Sequence, residues 1–469
     1  MRVAGESRAA DGASCALAGV LAAGFGMATA WGFSVDDALI SGRVAWQLAL
    51  GHGYRFNPGG PSVDCVTPLG WAYLLAPFAR GGPERAVWWA SVWGALLWLM
   101  AAAGLGRWGG EVCSGARRVG FFLCLALSLP LGAWAVAGME TGLVLALGVG
   151  ALVPGAWGAL CAGLAAALRP ELVPWAAVLS LGQAVALREN RGARVRALCL
   201  AVGPALLVAL LRGVVFGKPV PLAVFAKPSD LEHGLRYAFG VLVLAGPALS
   251  WIAWGAWRRI PRRWLAVAVA FAVHVLILIG VGGDWMPLWR LAVPVFPGVL
   301  LVGAALAEVS GGWNNVVRAV LLAGAAAQLH YALGSDTRAV RSRRAELIAA
   351  GRSLLQGSAR VGGVDVGWLG AASELTIVDF AGVTDPEVAY LPGGHTSKRL
   401  PVDFLERRDV DALLLRRWPA REGETARWAY AVDARVMTLR GAQAFVPVGT
   451  VPLPGAGEYV VLRRRSEAP

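Results

Sequence analysis

The chain has 469 residues, of which 57% are hydrophobic and only 16% charged, and its mean hydropathy is +0.58. That composition leaves too little polar surface to cover a soluble core of this length. The formal charge of +13 would suggest nucleic acid in a soluble chain, but here much of the arginine lies between apolar blocks, so it is a topology signal and no nucleic-acid partner is expected.

Taken in chain order, apolar blocks near 13–34, 84–106, 118–137, 139–153, 155–168, 171–187, 195–216, 235–257, 263–282, 288–308 and 313–333 predict about eleven transmembrane helices. The first is too long for a signal-peptide core and reads as an uncleaved anchor. Pro154, Pro170 and Pro174 punctuate three short central blocks, which would tilt or fuse them. Basic loops hold Arg107, Arg117 and Arg118; then Arg188, Arg191, Arg194 and Arg196; then Arg258, Arg259, Arg262 and Arg263. With the N-terminus inside, each of these loops is cytoplasmic, as the positive-inside rule requires. An odd number of spans then sends the tail outside.

The expected architecture is a multi-pass α-helical membrane domain over residues 1–333, with its first outer loop at 35–83. An extracytoplasmic soluble α/β domain follows over residues 334–469. The tail begins with a charged, helix-prone stretch, Asp336 to Gln356. Short β-like runs follow at Leu375–Phe380, Val410–Leu415, Phe445–Val451 and Tyr459–Leu462, separated by Gly- and Pro-rich turns.

Acids and isolated bases gather in the predicted outer loops. Asp36 and Asp37 follow the first span directly. An acid at that boundary suits a general base for a sugar hydroxyl or a ligand for a hard divalent cation; it equally suits the first turn of a helix over Ala38–Leu50. Glu140 opens another span, where the helix dipole favours a carboxylate. Arg169, Pro170 and Glu171 break a short central block; Arg169 would clamp an anionic head group, or pair with Glu171 or Glu140. Lys227 would meet a phosphate or snorkel at the interface. In Gly280–Arg290, glycines precede Asp284, Trp285, Trp289 and Arg290, a set able to hold a phosphate and stack a sugar ring. The six cysteines form neither a disulfide framework nor a metal set, the histidines are scattered, and there is no Walker loop or nucleophile elbow.

The run Asp36-Asp37-Ala38-Leu39-Ile40-Ser41, then Gly51-His52-Gly53, Phe56-Asn57-Pro58-Gly59 and Thr67-Pro68-Leu69 resembles the first outer loop of GT-C glycosyltransferases. It is most similar to the arabinofuranosyltransferase-like proteins of mycobacterial cell-wall synthesis. Further pieces follow in order: Gly138-Met139-Glu140-Thr141, Leu168-Arg169-Pro170-Glu171, Phe225-Ala226-Lys227, Gly282-Gly283-Asp284-Trp285-Met286-Pro287 with Arg290, and Asp379-Phe380-Ala381-Gly382-Val383-Thr384-Asp385. The resemblance implies an enzyme of a bacterial inner membrane that moves a sugar, such as a pentofuranose, from a polyprenyl-phosphate donor to an envelope glycan. It implies catalysis by Asp36 with Asp37 second, either also serving any divalent cation, donor-phosphate contacts from Arg169, Lys227 and Arg290, and substrate contacts from Glu140, Glu171, Asp284 and Trp285. Two other readings stay open: a non-enzymatic carrier or flippase for a lipid-linked sugar, and a degenerate relative that scaffolds the envelope.

Overall fold

The computed structural model describes residues 2–249, 254–418, 426–453 and 457–465. Among them, five helices are long and apolar enough to cross a membrane: Asp11–Ala30, Pro83–Val112, Arg191–Phe216, Arg262–Gly280 and Gly312–Leu354. The pair Gly115–Ala126 and Leu129–Val136, bent by 44°, makes a sixth when counted as one broken span. The bend falls where Pro130 enters the first turn of the second helix, a position that proline tolerates because that N–H has no partner in any helix. The chain is therefore a helical membrane protein with a small C-terminal mixed sheet.

Other expected spans are helices too, but short. They run Thr141–Gly150, Ala156–Leu168, Val173–Ala186 and Phe296–Val309. The block expected at 235–257 gives a helix over Leu231–Leu249, and residues 250–253 lie outside the described residues. The last apolar block and the charged stretch after it, expected as two elements, form one helix of 43 residues, Gly312–Leu354. Gly334 lowers helix propensity but does not stop it. At the α-helical rise this helix is about 65 Å long, twice what a bilayer core needs.

Contacts divide the chain into two compact units. The first comprises Met1–Ser34, Ala90–Ala209 and Ser229–Ala339; the second comprises Val35–Trp89, Leu210–Pro228 and Val340–Pro469. The boundary is thus not a single cut near residue 333: residues 35–89 and the 210–228 segment pack with the tail. Within the first unit, helices approach through small residues. A Cβ on Gly106 would lie 2.3 Å from the Cys15 carbonyl oxygen, so the backbones there are in contact, as is common where lipid supplies no hydrophobic drive between helices. Leu206, Val316 and Val320 point outward, a surface that lipid accepts and water would not.

The tail forms a sheet of order β2-β1-β3-β6-β5, with β1 Arg360–Gly363, β2 Thr376–Asp379, β3 Ala412–Trp418, β5 Phe445–Leu453 and β6 Gly457–Arg464; the two-residue β4, Arg427–Trp428, pairs with β3. β1 runs parallel to both β2 and β3, whereas β3–β6 and β5–β6 are antiparallel. A short helix, Val366–Ala372, connects β1 to β2. Val378, Phe380, Phe404, Leu413, Leu415, Val436, Val460 and Leu462 bury one face of this sheet.

Asp433 is fully buried beside that core. Its Oδ2 accepts the Arg416 amide at 3.0 Å, while Oδ1 has no hydrogen-bond partner. Burial, the main cause, pushes its pKa up to about 8. A carboxyl whose folded pKa is raised binds its proton more tightly when folded, so its share of stability grows as pH falls through about 8. Thermal unfolding of the wild type should therefore gain stability between pH 9 and 6, and Asp433→Asn should flatten that rise; an unchanged slope in the variant would contradict the assignment.

Candidate functional site

The second unit is organised by the helix Asp36–Ala49, which we term the loop helix. Val35 ahead of it is extended and gives no side-chain cap, and both acids lie in the first turn, where the helix dipole favours negative charge. Asp36 turns toward the tail. Its Oδ2 accepts the Gly367 amide at 2.7 Å and its Oδ1 the Trp368 amide at 2.9 Å. These are unpaired first-turn donors of the helix Val366–Ala372.

Arg43 stands about two turns further along the loop helix, on the same face. It is fully buried. Its guanidinium donates to the carbonyls of Gly370 at 2.5 Å, Ser373 at 2.7 Å, Leu375 at 2.6 Å and Phe56 at 2.8 Å. A carboxylate thus sits at one end of the Val366–Ala372 helix and a guanidinium at the other, each matching the local end of the dipole. The approach depends on glycine, since a Cβ on Gly367 would lie 2.1 Å from the Asp36 carbonyl oxygen. Asn57 completes the clamp by pairing with the Ile377 backbone in both directions, at 2.8 and 2.9 Å. Burial lifts the Asp36 carboxyl to about 6, opposed by Arg344 and reinforced by Asp365.

Asp36, the first choice for a base on sequence, therefore has both oxygens directed at backbone amides. Asp37 faces elsewhere. Its carboxylate lies 3.9 Å from Lys227 Nζ, and both side chains are 22% exposed. Lys227 is brought there by the 210–228 segment, whose Leu222 amide donates to the Asp64 carbonyl at 3.2 Å. A buried ion pair, Arg212 to Asp64 at 3.4 Å, fixes the same approach.

The remaining candidates lie in the first unit. Arg169 is 2.5 Å from Glu140, which is fully buried, and 3.8 Å from Glu171. The Glu140 contact is close but off the hydrogen-bonding direction, as neither carboxylate oxygen of Glu140 has a hydrogen-bond partner. Arg290 grips Asp284 with two hydrogen bonds, at 2.6 and 3.0 Å, the bidentate geometry typical of guanidinium and carboxylate. It also lies over the Trp134 ring at 5.8 Å. Glu171 is within electrostatic range of Arg290 and Asp284, so three acids face two arginines. The loop that carries Asp284 is bent by unusual backbone: Gly282 and Gly283, and also Leu288 and Trp289, have positive φ, and Trp134 Nε1 bonds the Leu288 carbonyl at 3.1 Å. Trp285 is exposed and stacked on His233 at 4.1 Å.

The structure thus joins Asp37 to Lys227 in one unit, and Arg169 to Glu140 and Arg290 to Asp284 in the other. No three His, Cys, Asp or Glu side chains gather as a metal ligand set among the described residues, so a cation at Asp37 would draw its other ligands from substrate oxygens and water. Sequence reasoning missed Arg43 and gave Asn57 no role. The available signal was an arginine seven positions after Asp36, the only basic residue of that helix and flanked by apolar residues on its C-terminal side. In comparisons with known proteins, no family profile, no curated protein and no solved structure matches this chain.

Removing Arg43 would strand several buried carbonyls and leave the clamp without its cation. Arg43→Ala is expected to destabilise the second unit by about 1–3 kcal/mol for each buried carbonyl it leaves without a donor, and Arg43→Lys should fail to restore it because a point ammonium cannot serve four carbonyls in a fork. Limited proteolysis and thermal unfolding would read this; wild-type stability in Arg43→Ala would refute the clamp.

Proposed function

We propose that the protein is a membrane glycosyltransferase that takes a sugar from a polyprenyl-phosphate donor and adds it to an envelope glycan at the outer face of a bacterial inner membrane. The observation that carries this reading is the Asp37–Lys227 pair, a carboxylate and an ammonium 3.9 Å apart and partly open to solvent. The resemblance of the ordered loop motifs to GT-C enzymes supports it. In this reading the short apolar helices complete a bundle of about eleven spans, the N-terminus is cytoplasmic and the tail extracytoplasmic.

The chemistry follows from the pair. Asp37 accepts the proton of the acceptor hydroxyl, whose oxygen forms the new bond to C1 of the donor sugar. The C1–O bond to phosphate breaks, and its electron pair leaves on the phosphate oxygen. Lys227 is the cation that meets this developing charge, since a partner at 3.9 Å is easily exchanged. Arg169 and Arg290 are already neutralised by Glu140 and Asp284, so they hold phosphate only by sharing. Their cluster is suited to sugar hydroxyls, which both donate and accept. Asp36 is a positioning residue that keeps Asp37 aimed.

Purified protein in nanodiscs should transfer sugar from a polyprenyl-phosphate donor, as followed by mass analysis of the glycan product. Asp37→Asn should lower turnover at least about a hundredfold with donor affinity kept, while Lys227→Ala should chiefly weaken donor binding. A carrier would retain lipid movement in both variants and make no product. Transfer at the wild-type rate by Asp37→Asn would reject this assignment.

A further inference from the structure

Near the Asp37–Lys227 pair lies an aromatic contact that takes no part in the proton transfer. The rings of Phe225 and Tyr390 approach to 4.9 Å between centroids. Phe225 comes from the short helix Ala223–Ala226. The Lys227 amide continues that turn by donating to the Ala223 carbonyl at 2.9 Å, so Val224 and Lys227, three positions apart, share a face. Val224 is 53% exposed.

Tyr390 comes from the tail, and its position is built. It follows the helix Pro386–Ala389, whose first amides are capped by Asp385. Lys398 is buried, and its Nζ donates to the carbonyls of Ala389 at 2.8 Å and Leu391 at 3.0 Å, one on each side of Tyr390. Within electrostatic range of that ammonium is the buried Asp379, which folds the loop ahead of the helix by accepting the amides of Ala381, Gly382 and Thr384. A buried ammonium is costly unless it is paired and hydrogen-bonded. Here it fixes the backbone around a tyrosine that is itself 53% exposed.

The place of the contact indicates its ligand. Residues 217–226 join the end of the span Arg191–Phe216 to Lys227. A lipid whose phosphate meets Lys227 leads its chain past this stretch to reach the bilayer. Apart from Lys218, the stretch holds only glycine, proline and apolar residues, with no hydroxyl, amide or carboxylate side chain for a sugar. The two rings and the exposed Val220 and Val224 suit hydrocarbon instead, which gains dispersion contacts against them. Tyrosine suits such a boundary, having an apolar ring and a polar tip.

We propose that Val224, Phe225 and Tyr390 form a clasp for the first isoprene units of the lipid-phosphate donor, so that the soluble tail takes part in choosing the lipid. The proposal rests on the reading of Lys227 as the phosphate contact. Methyl branches and double bonds at fixed intervals give an isoprenoid a shape that a straight alkyl chain lacks. The clasp therefore favours prenyl over alkyl phosphates.

The test uses the full chain in nanodiscs, titrated with farnesyl phosphate or dodecyl phosphate and read by native mass spectrometry. The two probes match in main-chain length and carry no sugar; inorganic phosphate serves as competitor. Farnesyl phosphate should bind at least about fivefold more tightly than dodecyl phosphate, and Tyr390→Ala or Phe225→Ala should erase that preference, whereas Tyr390→Phe should keep it. Lys227→Ala should weaken both probes alike. Tyr390 is exposed, so its variants report on binding if Phe225→Ala folds poorly. The clasp is overturned if the wild type binds both probes equally, if the preference survives both ring variants, or if inorganic phosphate competes as well as farnesyl phosphate. A prenyl preference that needs Tyr390, in a protein that transfers no sugar, would uphold the clasp and reject the transferase. Transfer that needs Asp37 but shows an unchanged donor KM in Tyr390→Ala would do the reverse.

Discussion

The second unit depends on one interaction: the loop helix Asp36–Ala49 gripping the helix Val366–Ala372 at both ends. Asp36 satisfies two first-turn amides, and Arg43 satisfies carbonyls at and beyond the last turn. Helix ends leave such groups without intrahelical partners, and when buried each would cost desolvation energy. Here they are met by side chains more than three hundred positions away in sequence. Everything proposed for function hangs from this joint. Asp37 follows Asp36 on the same helix, so the clamp fixes the stretch of backbone that carries it.

The clamp also explains why the adjacent acids Asp36 and Asp37 have different partners. Neighbours on a helix point about 100° apart. Both acids are partly exposed, but Asp36 gives both oxygens to backbone amides of the tail, whereas Asp37 lies beside Lys227. A carboxylate that already accepts two backbone hydrogen bonds is a structural anchor, while one lying 3.9 Å from an ammonium has room to exchange partners. Arginines locked to carboxylates in buried surroundings occur in both units, at Arg169–Glu140 and Arg290–Asp284 in the first and Arg212–Asp64 in the second, where breaking one partner away is expensive; the Asp37–Lys227 contact is long and partly open to solvent, and so weaker.

Sequence and structure agree where the signal is local. The long apolar helices, the strands β2, β3, β5 and β6, and the grouping of acids and bases in a few loops were all legible, since span length, alternation and composition are properties of a short window. β1 escaped because Arg360–Gly363 is short and half glycine. The continuity of Gly312–Leu354 escaped because Gly334 and the change from apolar to charged both resemble a boundary. Several central helices are too short for length alone to say whether they span.

By itself the sequence determined that this chain lives in a membrane, that a different kind of domain ends it, and which loops hold its ionisable groups. Hydrophobicity and charge act residue by residue, so they survive being read in one dimension. Only the tertiary structure decided that residues 35–89 belong with the tail, that Arg43 and Asn57 are the ties between them, and that Asp36 is given to backbone amides while Asp37 lies beside Lys227. Those outcomes turn on which distant backbone groups need partners, and no window of sequence contains both sides of that exchange.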